Sequence, residues 1–326
     1  MTTTTTSTAP AQRPGWLGGI QWKDYVVYAG FVVVFLFFAV TQPSSFLSLP
    51  NLTNILVQAA PVMVLAVGLV FVLSAGEIDL SIGSVVALSA LCAAVTLQST
   101  GSWPLAVLAA LGVGLAVGLL NGLFVAAVRL PSFLVTLATM GLVAGLAREL
   151  TDLQSVPVTD SAFISVFGAK WLGLPATVWW AAFIVVLGAV ALRQTRYGAH
   201  VLAVGNNASA ARVSGIKVDR VRVAVLVGSA MAAAVVGLLY SARLQGARYT
   251  LGEADLMTAI AAVIVGGTSL FGGKGSVVGA GVGSLLMTML NNGLILAGLS
   301  VSQQMVARAA IILIAVSISL RGKRGS

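Results

Sequence analysis

The sequence predicts an all-α, polytopic membrane protein with about ten transmembrane helices and with both termini in the cytoplasm. Three observations carry that expectation: the composition, the length of the apolar runs and the placement of lysine and arginine. With 58% hydrophobic and 8% charged residues and a mean hydropathy of +1.02, 326 residues lack the polar surface of a soluble globule.

A helix needs about 20 apolar residues to cross the hydrocarbon core. On that ruler the spans run approximately Tyr25–Gln42, Leu52–Leu73, Ile82–Leu97, Pro104–Val128, Ser132–Leu150, Leu174–Leu192, Val221–Tyr240, Leu256–Phe271, Val277–Leu296 and Ser302–Leu320. The eighth is the shortest fit. It follows Glu253 and Asp255 and runs into Gly266-Gly267, so a broken or re-entrant helix is open there beside a full crossing.

An even number of spans puts both ends on one side, and the tail Arg321, Lys323, Arg324 argues that this side is the cytoplasm. Those segments then hold Arg13, Lys23, Arg129, Arg193, Arg196, Arg212, Lys217, Arg220, Arg222, Lys274 and the three tail cations. The external segments hold Arg148, Lys170, Arg243 and Arg248, so the balance is thirteen against four, with Arg308 inside the last span. The net charge of +9 therefore reads as basic cytoplasmic loops and not as a nucleic-acid surface.

Residues 1–23, threonine-rich with Pro10, Pro14 and Gly15, read as a disordered cytoplasmic arm and not as a signal peptide. Residues 24–320 form the transmembrane domain, with a cytoplasmic loop at 193–222, and residues 321–326 are a basic tail. Gly83-Ser84-Val85-Val86 recurs as Gly275-Ser276-Val277-Val278 and Asn121-Gly122-Leu123 as Asn292-Gly293-Leu294, a faint sign of internal duplication.

Cys92 is the single cysteine and lies in an apolar run, so the chain can form no internal disulfide and no cysteine zinc cluster. His200, the single histidine, stands in a basic loop without clustered ligands. No metal site and no catalytic residue is expected, and isolated carboxylates are poor material for acid–base chemistry.

The most informative stretch is Gly76-Glu77-Ile78-Asp79-Leu80-Ser81-Ile82-Gly83, an acidic, glycine-bracketed break between two apolar runs. Carboxylates at membrane depth are costly, and non-helical backbone there must be enclosed in protein or line a cavity. Three readings of Glu77 and Asp79 are open: binding substrate hydroxyls, relaying protons, or capping the start of the next helix. Placement near the cytoplasmic face favours the cap or a gate hinge.

In the long basic loop, Asn206-Asn207-Ala208-Ser209-Ala210-Ala211-Arg212-Val213-Ser214-Gly215-Ile216 predicts a short surface helix. Asn206 or Asn207 would cap it, alanines propagate it, and Gly215 would end it in the left-handed conformation. Such a helix suits either docking into a groove of another protein or lying as an elbow on the membrane surface.

Gly272-Gly273-Lys274-Gly275-Ser276 approaches a phosphate-binding loop but lacks its spacing, since Thr268 precedes Gly273 by five and a glycine follows Lys274. A tight cytoplasmic turn is the better reading. Gly112, Gly114 and Gly118, and Gly279, Gly281 and Gly283, suit close helix packing. Gln58, Asn121, Thr136, Thr139, Asn291 and Asn292 are polar groups within spans, candidates for a translocation path or for bonds between helices. Trp103, Trp171, Trp179 and Trp180 sit where interfacial anchors belong.

Taken in order, the 76–83 stretch, Asn121-Gly122, Leu130-Pro131-Ser132-Phe133-Leu134-Val135-Thr136-Leu137, Ala210-Ala211-Arg212-Val213-Ser214-Gly215-Ile216 and Gly266-Gly267-Thr268-Ser269-Leu270-Phe271-Gly272-Gly273-Lys274-Gly275-Ser276 resemble the permease family of ribose/xylose/arabinose/galactoside-type ABC importers, from about Leu52 to the C-terminus. The related branched-chain amino-acid permeases tend to carry asparagine-phenylalanine-alanine-histidine where this chain has Ile78-Asp79-Leu80-Ser81, which favours a sugar. The resemblance implies a multi-pass subunit of the bacterial inner membrane that pairs with a second permease copy or paralogue. It implies that cytoplasmic ATPase subunits bind the ATP and magnesium, that an external binding protein delivers the sugar, and that the helix at Asn207–Gly215 engages the ATPase. The rival expectation is a proton-coupled secondary transporter acting alone.

Overall fold

With no water at hand to satisfy backbone amides, the long apolar runs fold as helices. The computed structural model describes residues 26–300, 302–307 and 309–310. The N-terminal arm, most of the tenth predicted span and the basic tail lie outside the described residues.

The chain begins with α1 (Val26–Thr41), the short α2 (Pro43–Phe46), α3 (Leu49–Ser74), α4 (Ile82–Thr100), α5 (Trp103–Ala126) and α6 (Ser132–Glu149). Four short elements follow: β1 (Val156–Pro157), α7 (Ser161–Phe167), β2 (Lys170–Trp171) and β3 (Leu174–Pro175). Then come α8 (Ala176–Gln194), α9 (Arg196–Asn206), α10 (Ala208–Val213), α11 (Val218–Arg243), β4 (Gly246–Ala247), α12 (Glu253–Val265) and α13 (Val277–Leu296). Strands β1 and β4 pair antiparallel with Val156 opposite Ala247, and β2 and β3 form a hairpin with Lys170 opposite Pro175.

Among the described residues, seven helices are long and apolar enough to cross a membrane: α3, α4, α5, α6, α8, α11 and α13. Helix α1 is described over 16 residues from Val26, the first described residue. The predicted eighth span is shorter: α12 has 13 residues, which at about 1.5 Å per residue is roughly 20 Å against a hydrocarbon core of about 30 Å. Expected to reach Phe271, α12 stops at Val265. There Gly266 lies against the Gly279–Ala280 backbone of α13, and Gly267 turns the chain at φ +88°.

Helices α3, α4 and α11 make the centre, and their core includes Leu65, Leu69, Leu91, Val236 and Leu239. Close approach of α5 to α11 rests on small residues. A Cβ on Gly114, Gly118 or Gly122 would clash with α11 at Ala230, Val227 and Val223 respectively. Gly279 and Gly283 likewise pack against α12 and the turn after it, at Gly266 and Ala262, while Gly112 faces open space. The outward faces of α5 and α8 expose Leu108, Leu119, Phe183 and Leu187, an apolar surface of the kind a lipid phase accepts.

Candidate functional site

Helix α3 ends where Ala75 and Gly76 leave the helical ladder, Gly76 at φ +80°. The next five residues, 77–81, cross non-helically to α4, so their polar groups need partners from elsewhere. The Ile78 amide donates to Ser132 Oγ at 3.0 Å, and its carbonyl accepts from Thr136 Oγ1 at 3.2 Å, so α6 holds both sides of that residue. Asp79, fully buried, accepts at Oδ1 from the Ser81 amide at 2.9 Å and from the Ser81 hydroxyl at 2.6 Å. Asn121 of α5 donates to Ser81 Oγ at 3.0 Å, completing a buried chain of three side chains. Ser229 of α11 lies beside Asp79 without reaching hydrogen-bond geometry.

The acidic residues thus divide their roles. Asp79 bends the backbone onto Ser81, the residue just before α4, and neither carboxylate caps the free amides of that helix. Glu77 pairs with Arg222 of α11, Oε1 to Nε at 2.7 Å, a charge contact whose N–H direction falls short of a hydrogen bond. A cleft of about 290 Å³ opens here among Glu77, Arg222, Arg129, Arg212 and Asp219.

The surface helix α10 forms as its residues dictate. Asn207 is its cap, accepting from the Ala210 amide at 3.0 Å, whereas Asn206 is the last residue of α9. Gly215 at φ +83° closes it, with Gly215 N–H bonded to the Arg212 carbonyl and Ile216 N–H to the Ala211 carbonyl. Only Ala211 is buried. Asn207, Ser209, Ala210, Arg212 and Gly215 are exposed, and Val213 is 91% exposed. Arg212 reaches Asp219 of α11 at 3.3 Å.

Helix α9 was not foreseen from the sequence. Thr195 caps it through the Gly198 amide at 3.2 Å, and its C-terminus seats the loop against the break. A Cβ on Gly205 would fall on the Ser74 carbonyl oxygen, and one on Gly272 would stand 2.5 Å from the Gly205 carbonyl oxygen. The Gly273 amide donates to the Ser74 carbonyl at 3.0 Å. Three segments prominent in the sequence, at 74–83, 205–215 and 272–275, therefore meet at one end of the bundle. Lys274 is exposed on this turn, and Gly275 packs against Ser74 and Val70. Gly83 packs elsewhere, on the Gly252 backbone.

The six polar candidates within the spans are not gathered in one place. Asn121 and Thr136 belong to the break. Thr139 is buried and bonds back to Val135 in its own helix. Asn292 exchanges two amide hydrogen bonds with Asn51, at 2.9 and 3.1 Å, near the opposite end of α3. That is roughly 35 Å from Ser74 at about 1.5 Å per residue. Gln58 is half-buried on α3 and Asn291 half-buried on α13.

Sequence reasoning missed Arg222, Gly205, Ser132 and Asn51 as partners in these contacts. The Arg222 charge was visible, but its pairing with Glu77 spans 145 positions and needed the fold.

Residues 51–316 match the family model described as branched-chain amino acid transport system / permease component. The ribose import permease protein of Escherichia coli K12 is 35% identical over 98% of this chain and 98% of its own. The xylose transport system permease protein of the same strain is 32% identical over 95% of each chain. The ribose import permease protein of Bacillus subtilis is 36% identical over 89% of this chain and 90% of its own. No solved structure matches the chain.

Proposed function

The chain belongs to this permease family, and from that membership we propose that it is the membrane-spanning subunit of an ATP-driven ABC importer for a monosaccharide, a pentose or hexose, or a related polyol. The family description names branched-chain amino acids, while relatives aligned over nearly the whole chain are named for ribose and xylose, which supports a sugar. In this reading a second permease copy or paralogue completes the pathway and an external binding protein delivers the sugar. ATPase subunits on the cytoplasmic side bind ATP and magnesium. The chain crosses the bacterial inner membrane about ten times, with both termini in the cytoplasm.

The observation that carries the reading is the link between an exposed, capped helix and a buried break. Helix α10 offers its outer face to a partner, while Arg212 ties it to Asp219, three residues before Arg222, which holds Glu77. Displacement of α10 by the ATPase is passed along two routes, through the first turn of α11 and through the backbone contact of Gly205 with Ser74 and Gly272. The break is held by side-chain bonds and not by a helical ladder, so it can exchange partners between two packings, as alternating access requires. Glu77, Asp79 and Ser81 act there as hinge groups. Gln58, Thr139, Asn291 and Asn292, higher in the bundle, are the remaining candidates for sugar contacts.

Purification of the tagged full-length chain from native membranes in mild detergent, with mass spectrometry of the accompanying chains, tests the reading. Recovery of an ATPase and a sugar-binding protein is the expected result. Reproducible recovery of this chain alone, with uptake driven by a proton gradient, would replace the reading with a secondary transporter.

A further inference from the structure

A second cleft lies outside the junction. It has a volume of about 440 Å³ and runs between α9 and the start of α11. Lys217, Arg220 and His200 line it together with Ile216, Val221 and Ala224. Lys217 and Arg220 are exposed and, among the described residues, pair with no carboxylate. The nearby Asp219 is engaged by Arg212.

The α11 face that lines the cleft at Arg220 and Ala224 runs on along that long apolar helix. Arg220, Ala224 and Gly228 are spaced by four and share one face of α11, and Arg222 points roughly 200° away from Arg220 at about 100° per residue. Ala224 and Gly228 are exposed, and a Cβ on Gly228 would meet nothing within 4 Å. The wall is set by Tyr197, whose ring stacks on Phe71 of α3 at 5.8 Å. Burial pushes its phenol up to about 12, so at neutral pH it remains an uncharged hydrogen-bond donor.

We propose that this cleft holds an anionic phospholipid, with the headgroup phosphate on Lys217 and Arg220 and an acyl chain laid over Ile216, Val221 and the Ala224–Gly228 face. Cations at the mouth of an apolar groove that descends along a spanning helix match an amphiphile in both charge and polarity order. An acidic segment of a partner protein would satisfy the cations but would gain nothing from the descending apolar face. The lipid would anchor α9 and the first turn of α11, the elements that flank α10.

The test is native mass spectrometry of the full-length chain released from nanodiscs made of equal parts phosphatidylglycerol and phosphatidylcholine. Phosphatidylglycerol is expected to be retained in preference. Lys217→Gln with Arg220→Gln should weaken that retention by roughly thirtyfold, at about one surface cation's worth of attraction each. Ala224→Leu, which fills the groove and keeps both charges, should weaken it too, and Arg248→Gln on the distant β4 side should not. Inorganic phosphate alone should fail to displace the lipid. Equal retention of the two lipids, or unchanged preference in both groove variants, overturns the proposal. Displacement by free phosphate would make this a phosphate site. Loss of a co-purifying protein from the double variant with lipid retention intact would make it a protein-docking surface.

Discussion

Arg222 Nε lies 2.7 Å from Glu77 Oε1, joining the first turn of α11 to the break between α3 and α4. Glu77 is 8% exposed and Arg222 29%, so the pair is largely withdrawn from water. Loss of one partner strands the other charge.

Arg222→Met should therefore destabilise the fold by about 2–4 kcal/mol, and Glu77→Gln by less, because the cation is the better hydrated of the two. The double variant should recover part of the loss. Thermal unfolding of the four proteins in detergent gives the coupling energy, and a value near zero would show that the contact is incidental.

At the meeting of α9 with the 272–275 turn, there is no room for a side chain. Gly205→Val should cost about 1–3 kcal/mol or more through overpacking against Ser74 and Gly272. Uptake should fall further than membrane expression does. Normal stability and uptake in this variant would exclude the backbone contact as a mechanical link.

Removing the ends of α10 tests it separately from the core. Asn207→Ala deletes the bond to the Ala210 amide, worth about 1 kcal/mol, and Gly215→Val forces a branched side chain to φ +83°. Hydrogen exchange should quicken at the amides of 208–213 while the global unfolding midpoint barely moves, and coupled uptake should drop. Unchanged exchange would mean that neighbouring contacts, not the caps, hold this helix.

The Asn51–Asn292 exchange decides between packing and transport. Asn292→Leu removes the donor to Asn51 Oδ1 and leaves Asn51 Nδ2 only the Phe46 carbonyl, at a cost of about 1–3 kcal/mol, and Asn51→Leu with Asn292→Leu should regain part of it, since the bond to Phe46 is then lost as well. If the pair only fastens α3 to α13, the uptake KM stays constant in every variant that folds. A raised KM in the single variants would place Asn292 on the sugar path.

Much of the junction is legible in the sequence. The break at Gly76, the cap and stop at Asn207 and Gly215, and the turn at Gly272 are each set by local chemistry: a left-handed glycine, an amide acceptor, a missing Cβ. What pairs with them was not legible. Glu77 finding Arg222 and Ser81 finding Asn121 depend on helix packing across long sequence separations, for which hydropathy carries no signal. Helix α9 was hidden because its eleven residues lie in a loop rich in arginine and glycine, where no long apolar run marks a helix. The predicted eighth span reached past Gly266-Gly267-Thr268-Ser269 to Leu270-Phe271, while the close backbone approach of Gly266 to α13 ends the helix at Val265.

The most direct test of the coupling account is uptake into proteoliposomes holding this chain with its co-purified ATPase and sugar-binding protein, with ATP on the ATPase side. Uptake that requires all three proteins and ATP, and that Arg212→Glu abolishes without dissociating α11 from the break, is the predicted result. Sugar accumulation by this chain alone, collapsing with the proton gradient and indifferent to ATP, would contradict it.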